Sequence, residues 1–223
     1  VKSLLTFDET NFEFRGAQDS VRLWLTPNGD SLRLFHFPVP PDIEADLHDM
    51  GSVRAFYRRV ASQAGLGVLE IDTGVVNGCS VVRTLFKVAQ GRMGRIYIGA
   101  LTFPFRDFSY VFRVESPELG MTGSRETAVF AKLISKGEAS IDTGSNPLTG
   151  WLDDPYDSNE VGPMTRNISE RPEYDTLFPN HPLSRARWIL DHLQYTLSID
   201  DSVKRQPNFH FSPSQSSRGF PNA

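Results

Sequence analysis

The sequence predicts an α+β protein with an antiparallel β-sheet, two well-marked helices and a long irregular C-terminal third. Three observations carry this. Short apolar segments recur through residues 3–115 and are separated by Asn, Gly and Pro turn clusters. Two segments with apolar residues three and four apart break and then close that run. After residue 137 the periodicity fades into a stretch rich in Gly, Pro, Asn and Asp.

In chain order, Ser3 to Phe7 and Phe12 to Arg15 read as short strands. Val21, Leu23 and Leu25 alternate with Arg22 and Trp24. The cluster Thr26-Pro27-Asn28-Gly29-Asp30 then turns the chain into Leu32 to Phe37, because Asn and Gly accept the positive φ of tight hairpins. Pro38, Pro40 and Pro41 end that strand. A helix is expected over 52–64, with Val53, Phe56, Tyr57, Val60, Ala61 and Ala64 on one face, Ser52 as N-cap and Gly65 as the stop. Val68 to Val76 and Ser80 to Val88 flank Asn77-Gly78, a strong hairpin signal, and Arg95 to Phe103 pairs with Ser109 to Glu115. Consecutive hairpins imply an antiparallel meander. A second helix is expected from Ser124 to Ser135, opened by Thr122 or Gly123 and closed by Gly137, and a third from Ser184 to Leu193, with Ser184 as its cap.

This pattern divides the chain into a single domain over 1–200 and a polar tail over 201–223. Within the domain, 1–137 is the sheet-and-helix scaffold, 138–182 an acidic wrapping segment and 183–200 a helix and its end. The wrapping segment holds nine acidic and two basic residues, against 15 and 16 in the first 137. Trp151, Tyr156, Tyr174, Leu177 and Phe178 are its expected anchors, since disordered linkers spend few aromatics.

Composition narrows the function. A formal charge of −4 disfavours a nucleic-acid binder, and no apolar run reaches the ~20 residues of a membrane-spanning helix. The single cysteine, Cys79, allows no intrachain disulfide and no Cys-based zinc site, and is expected to be a half-buried strand residue. The expected compartment is the cytoplasm, with a removed leader compatible with a chain that starts at Val1.

Four constellations are candidates for chemistry. Gly120 to Glu126 is a Gly-rich turn into a helix that could hold an anion on free N–H groups, with Thr122 and Arg125 beside it. It lacks the Lys-Ser/Thr ending of a phosphate loop. Asp153, Asp154, Asp157 and Glu160, with Asp175 and His181 further on, offer oxygen ligands without calcium-loop spacing. His181-Pro182-Leu183-Ser184-Arg185 brings His and Ser close with Asp175 or Asp191 in supply, but without a nucleophile elbow. Arg54, Arg58 and Arg59 form a basic face on the first helix, suited to an acidic partner such as the 138–181 segment. Asn167-Ile168-Ser169 matches a glycosylation sequon by pattern alone. No cofactor motif is present and none is expected. Ligand or partner contacts are assigned to Arg54, Arg58, Thr122, Arg125, Asp154, Asp157, His181 and Arg185, with no catalytic or metal residue.

The order of strands, helix, four antiparallel strands and helix resembles the Mog1/PsbP-like fold group over roughly residues 1–137. The resemblance is carried by the helix at Ser52–Ala64, by Phe105-Arg106-Asp107-Phe108-Ser109-Tyr110 and by Gly120-Met121-Thr122-Gly123-Ser124-Arg125-Glu126. It implies a strongly twisted sheet between helices, an α/β/α sandwich, and a bacterial-type or related protein of a group whose members are mostly binding or assembly factors. Two functions follow as expectations. The first is a non-catalytic binding or assembly factor with a protein partner, or a second copy of itself docked through residues 138–223. The alternative is a hydrolase or metal-assisted enzyme using acidic residues and His181 under the C-terminal segment.

Overall fold

The computed structural model describes residues 4–91, 94–120, 122–141, 148–157 and 162–211, so Ser3, Met121 and Glu160 of the readings above lie outside the described residues. In chain order the elements are β1 (Leu5–Thr6), β2 (Glu13–Gln18), β3 (Val21–Leu25), β4 (Ser31–Phe37), α1 (Met50–Gln63), β5 (Gly67–Val76), β6 (Cys79–Gln90), β7 (Gly94–Pro104), β8 (Ser109–Pro117) and α2 (Ser124–Lys136). Then follow β9 (Ser140–Ile141), β10 (Leu148–Thr149), two 3₁₀ turns (Ile168–Glu170 and Pro172–Tyr174), α3 (Pro182–Thr196), β11 (Ser198–Ile199) and α4 (Asp201–Lys204). No helix among the described residues is long and apolar enough to cross a membrane.

Seven strands make one antiparallel sheet in the order β2-β3-β4-β8-β7-β6-β5. It consists of two meanders joined where β4 pairs β8, with Leu34 opposite Phe112. α1 lies in sequence between the meanders and carries the chain from the middle of the sheet to its β5 edge. The pleat sends alternate residues to opposite faces. In β6, Val81 and Leu85 enter the core that α3 covers with Ala186, Ile189, Leu190 and Leu193. Val82 enters the opposite core, with Val53 and Ala61 of α1. The result is the α/β/α layering expected. α2 instead forms a third small core with the C-terminal segment, where Trp151, Ile168, Tyr174 and Phe178 pack against Val129 and Leu133.

Local signals set most boundaries. Asn77 (φ 50°) and Gly78 (φ 83°) both take the left-handed conformation that the β5–β6 hairpin needs. Several details differ from expectation. β1 is not in the main sheet but pairs with β11 in a two-stranded ladder. α1 starts two residues early because the Asp49 carboxylate, not Ser52, accepts the Gly51 N–H. Val60 is turned outward, at 39% exposure. α3 starts at Pro182 and is capped by His181, whose ring accepts the Leu183 N–H, so Ser184 lies within the helix. Cys79 is buried rather than half-buried. The described part of the tail is held by its own chain: Phe105 bridges Asn208, the Arg106 N–H donates to Pro207 O, and Phe209 packs into the α1-side core.

α3 approaches the sheet so closely over Gly99 that a Cβ there would lie 2.8 Å from both Leu190 Cδ1 and Val114 Cγ1. Gly99→Ala is therefore expected to destabilise the protein by about 1–3 kcal/mol through overpacking. A shift in the urea midpoint at unchanged m-value is the measurement; no shift would mean that α3 moves freely on β7.

Candidate functional site

Among the described residues, most buried charged groups lie at the seam where the C-terminal segment and α3 meet the sheet. Arg125, fully buried, is the hub. Its Nε donates to Ser169 O (2.6 Å), Nη1 to Asp175 Oδ1 (2.8 Å) and Ser184 Oγ (2.8 Å), and Nη2 to Arg171 O (3.1 Å). Arg187, on α3, shares Asp175 (3.0 Å to each oxygen), donates to Glu170 O at 2.6 Å and bonds the Glu70 carboxylate of β5. Burial works against the Arg187 guanidinium, but Glu70 and Asp175 outweigh it and raise its pKa. Lys87 of β6, also buried, donates to Glu170 Oε2 (2.5 Å) and Thr165 O (3.0 Å). Glu170 Oε2 further accepts the Asn167 N–H (2.9 Å), which closes a capping box with Asn167, so the Asn167 side chain of the sequon is engaged in structure. The Tyr97 hydroxyl faces Glu170 Oε1 at 3.4 Å, and burial, then the nearby carboxylates, push its pKa well up, which keeps it a neutral phenol.

The structure spreads the expected site residues over three places. At α1, Arg58 meets Asp154 at 2.5 Å and Asp157 at 3.7 Å, while Arg54 lies over the Tyr156 ring at 4.5 Å and reaches Asp72 at 3.5 Å. The Asp154 carboxylate also accepts the Tyr156 and Asp157 N–H groups. Asp153 is drawn elsewhere, to Arg171 (2.9 Å) and Arg166 (2.5 Å); the hydrogen bond from Arg171 leads in holding its carboxyl below the usual range. Thr122 is half-buried in the turn into α2 and does not cap it, since Gly123 is the N-cap and no side chain bonds there. Arg125 is the hub just described, with its donors turned inward. At the start of α3, Arg185 forks onto Asp30 (2.9–3.1 Å).

His181, Ser184 and Asp175 do not form a relay. Ser184 Oγ donates directly to Asp175 Oδ1 (2.9 Å), whereas the His181 ring caps α3 and turns towards Glu118 and Tyr97. A triad-type serine hydrolase needs the hydroxyl on the imidazole.

Two features were not legible as a site. One is the trio Glu118, Glu126 and His181, gathered from the end of β8, the first turn of α2 and the cap of α3. Burial pushes the Glu118 carboxyl up, but the facing His181 ring and the Arg95 and Gly123 N–H groups hold it below its ordinary value. The other is a surface groove of about 520 Å³ between α3 and the β3–β4 turn, walled by Trp188 and Ile189 and floored by the Asp30–Arg185 pair. A second hollow of about 340 Å³ shares Asn28, Pro179 and Arg185 with it and adds Leu119 and Leu177. Trp188, Leu119 and Leu177 are 48%, 63% and 60% exposed. The readable signal for the seam was charge on an apolar face: Glu70 and Lys87 interrupt sheet segments, and Arg187 interrupts the α3 stripe.

No family model matches the chain, and no curated protein sequence matches it. Among solved structures, it is similar to the Ran-binding protein Mog1p of Saccharomyces cerevisiae. The identity is 12%, the TM-score 0.44, and the match covers 90% of this chain and 93% of that one. At this distance the likeness carries no residue across.

Proposed function

We propose that this protein is a non-catalytic binding or assembly factor that engages a protein partner through the groove between α3 and the β3–β4 turn. The observation that supports this reading is the character of the groove. Its charged groups are already spent on one another: Asp30 on Arg185, Asp175 on Arg125 and Arg187, and Asp191 on Arg83 at 2.7 Å. What remains to offer is an indole wall and, in the continuous hollow, two exposed leucines. Exposed apolar groups clustered around a concave surface mark interaction sites, and tryptophan is enriched among the residues that dominate binding energy. Trp188 is held ready, since its ring lies near-parallel to His192 at 5.1 Å and to Phe12 at 6.3 Å. A fixed aromatic loses little rotamer freedom when a partner covers it.

A photo-crosslinking residue placed at Leu177 of the full chain, expressed in its source cell, tests this. The expected result is a crosslink to one defined protein, lost on Trp188→Ala. With that protein in hand, Trp188→Ala should weaken binding roughly 30-fold or more. Trp188→Ala leaves every ion pair above intact, so its fold is checked by an unchanged circular dichroism spectrum. No defined crosslink, or one indifferent to Trp188→Ala, would sink the proposal.

A further inference from the structure

We propose that Glu118, Glu126 and His181 form a binding site for a divalent first-row transition cation, of which Zn²⁺ is the natural probe. This inference does not rest on the groove.

One donor atom from each residue lies within 4.8 Å of the others. The His181 Nε2 and Glu118 Oε1 are 3.7 Å apart, beyond hydrogen-bond distance. Both side chains are more than nine-tenths buried, at 7% and 6% exposure. Yet His181 Nε2 and Glu126 Oε2 are buried without any hydrogen-bond partner among the described residues. Buried polar atoms are almost always partnered, and a cluster that is not points to a missing water or ion. Two carboxylates and an imidazole turned on a common point favour a cation. The nearby cations of the chain are turned elsewhere: Lys87 to Glu170 and Thr165, Arg95 to Gly94 O, and Arg125 to its four acceptors.

The donor set selects the ion. Two carboxylate oxygens with one imidazole nitrogen suit Zn²⁺ and its neighbours, whereas Ca²⁺ and Mg²⁺ prefer more oxygen ligands. Bonds of about 2.0–2.2 Å to a shared ion require the donors to close in by side-chain rotation of roughly 1 Å or less. Glu118 is braced for this, with its Oε2 accepting the Arg95 N–H at 2.7 Å. A cavity of about 310 Å³, lined by Glu118, Glu126, Gly123 and Trp151, opens on the two carboxylates and leaves room for water as a further ligand.

One contact works against the ion and makes it visible. His181 Nδ1 accepts the Leu183 N–H at 3.2 Å, which fixes the ring proton on Nε2 if the ring is neutral. Coordination through Nε2 moves that proton to Nδ1, so loading the metal breaks the cap of α3. Metal binding and the helix cap therefore compete, and the Leu183 amide reports the competition.

The experiment titrates metal-stripped full-length protein with Zn²⁺ by calorimetry and follows amide exchange at Leu183. Saturable binding of a single ion is expected, with faster exchange at Leu183 on loading and no comparable response to Mg²⁺ or Ca²⁺. Glu126→Gln should weaken binding about tenfold or more while changing the metal-free melting temperature little, because Glu126 Oε2 has no hydrogen-bond partner among the described residues. His181→Asn, which keeps an oxygen for the cap, should weaken binding as well. The proposal is overturned by absence of Zn²⁺ binding, by binding that both variants preserve, or by loading that leaves the Leu183 amide untouched. The exchange measurement is made on the unaltered chain, so it decides the matter even where a variant fails to fold.

Discussion

Arg125→Ala is expected to lower the folding free energy by about 3–5 kcal/mol, the cost of removing one partner from a buried ion pair. Four acceptors lose a donor at once: Ser169 O, Arg171 O, Ser184 Oγ and Asp175 Oδ1. Asp175 keeps Arg187, and Arg171 O keeps the Tyr174 N–H at 3.2 Å. Ser169 O has no such second donor among the described residues, and the space left is closed to solvent. Arg125→Lys should recover only part of the loss, because an ammonium is a point donor and cannot span four acceptors set around a planar fork. Urea unfolding measures the energy. Amide exchange adds the location: residues 168–184 should loosen first, since Arg125 ties α2 by hydrogen bonds to both the 3₁₀ turns and α3. A loss under about 1 kcal/mol, typical of solvated surface pairs, would show that the guanidinium is not the hub described.

The position of Arg125 explains how a long segment with little regular structure is held. Between α2 and α3 the described chain has only short bridges and two 3₁₀ turns, so most of its backbone groups must find partners outside helix and sheet ladders. Arginine meets that need by donating to carbonyls from successive turns. Arg187 does the same for Glu170 O, and Arg166 for Asp153 O. The acidic excess of the segment is thus matched by arginines from α1, α2, α3 and the segment itself.

Much of the fold was legible because its signals are local. Asn77-Gly78 demands a hairpin wherever it sits, and Gly137, in the left-handed conformation at φ 71°, ends α2 where the sequence says it must. The layered arrangement followed from strand and helix order. The sites were less legible, because they are assembled by contacts between residues far apart in sequence. Arg125 stood out beside a Gly-rich turn and suggested an outward-facing anion site; nothing local says that Ser169, Asp175 and Ser184 come to meet it. His181 next to Ser184 suggested catalysis, but on a helical start the two side chains leave in different directions, one to the cap and one to Asp175. Glu126 was read only as the end of that Gly-rich turn and Glu118 drew no notice, since their meeting with His181 depends on how α3 is laid across the sheet.

Lys87 provides the sharpest test of that seam. It sits on β6 with 3% exposure, and its ammonium is paired with a carboxylate as buried as itself. Lys87→Met fits the stem but leaves Glu170 charged and enclosed. Among the described residues its remaining donors are the Asn167 N–H at 2.9 Å and the distant Tyr97 hydroxyl. The expected cost is about 3–5 kcal/mol. Glu170→Gln alone leaves the ammonium buried without a counter-charge, with only Thr165 O and the neutral carboxamide oxygen to accept from it. The double variant removes both charges, while the carboxamide oxygen introduced by Glu170→Gln can still accept the Asn167 N–H. It should therefore be more stable than Lys87→Met, with a coupling energy of up to about 3 kcal/mol in a double-mutant cycle. Additive losses would mean that the two groups are solvated independently. A strong coupling locates the charge that fastens the C-terminal segment to the sheet, since Lys87 belongs to one and Glu170, with Thr165, to the other. In that case the same pair fixes the floor on which Tyr97, His181 and the two neighbouring carboxylates are arranged.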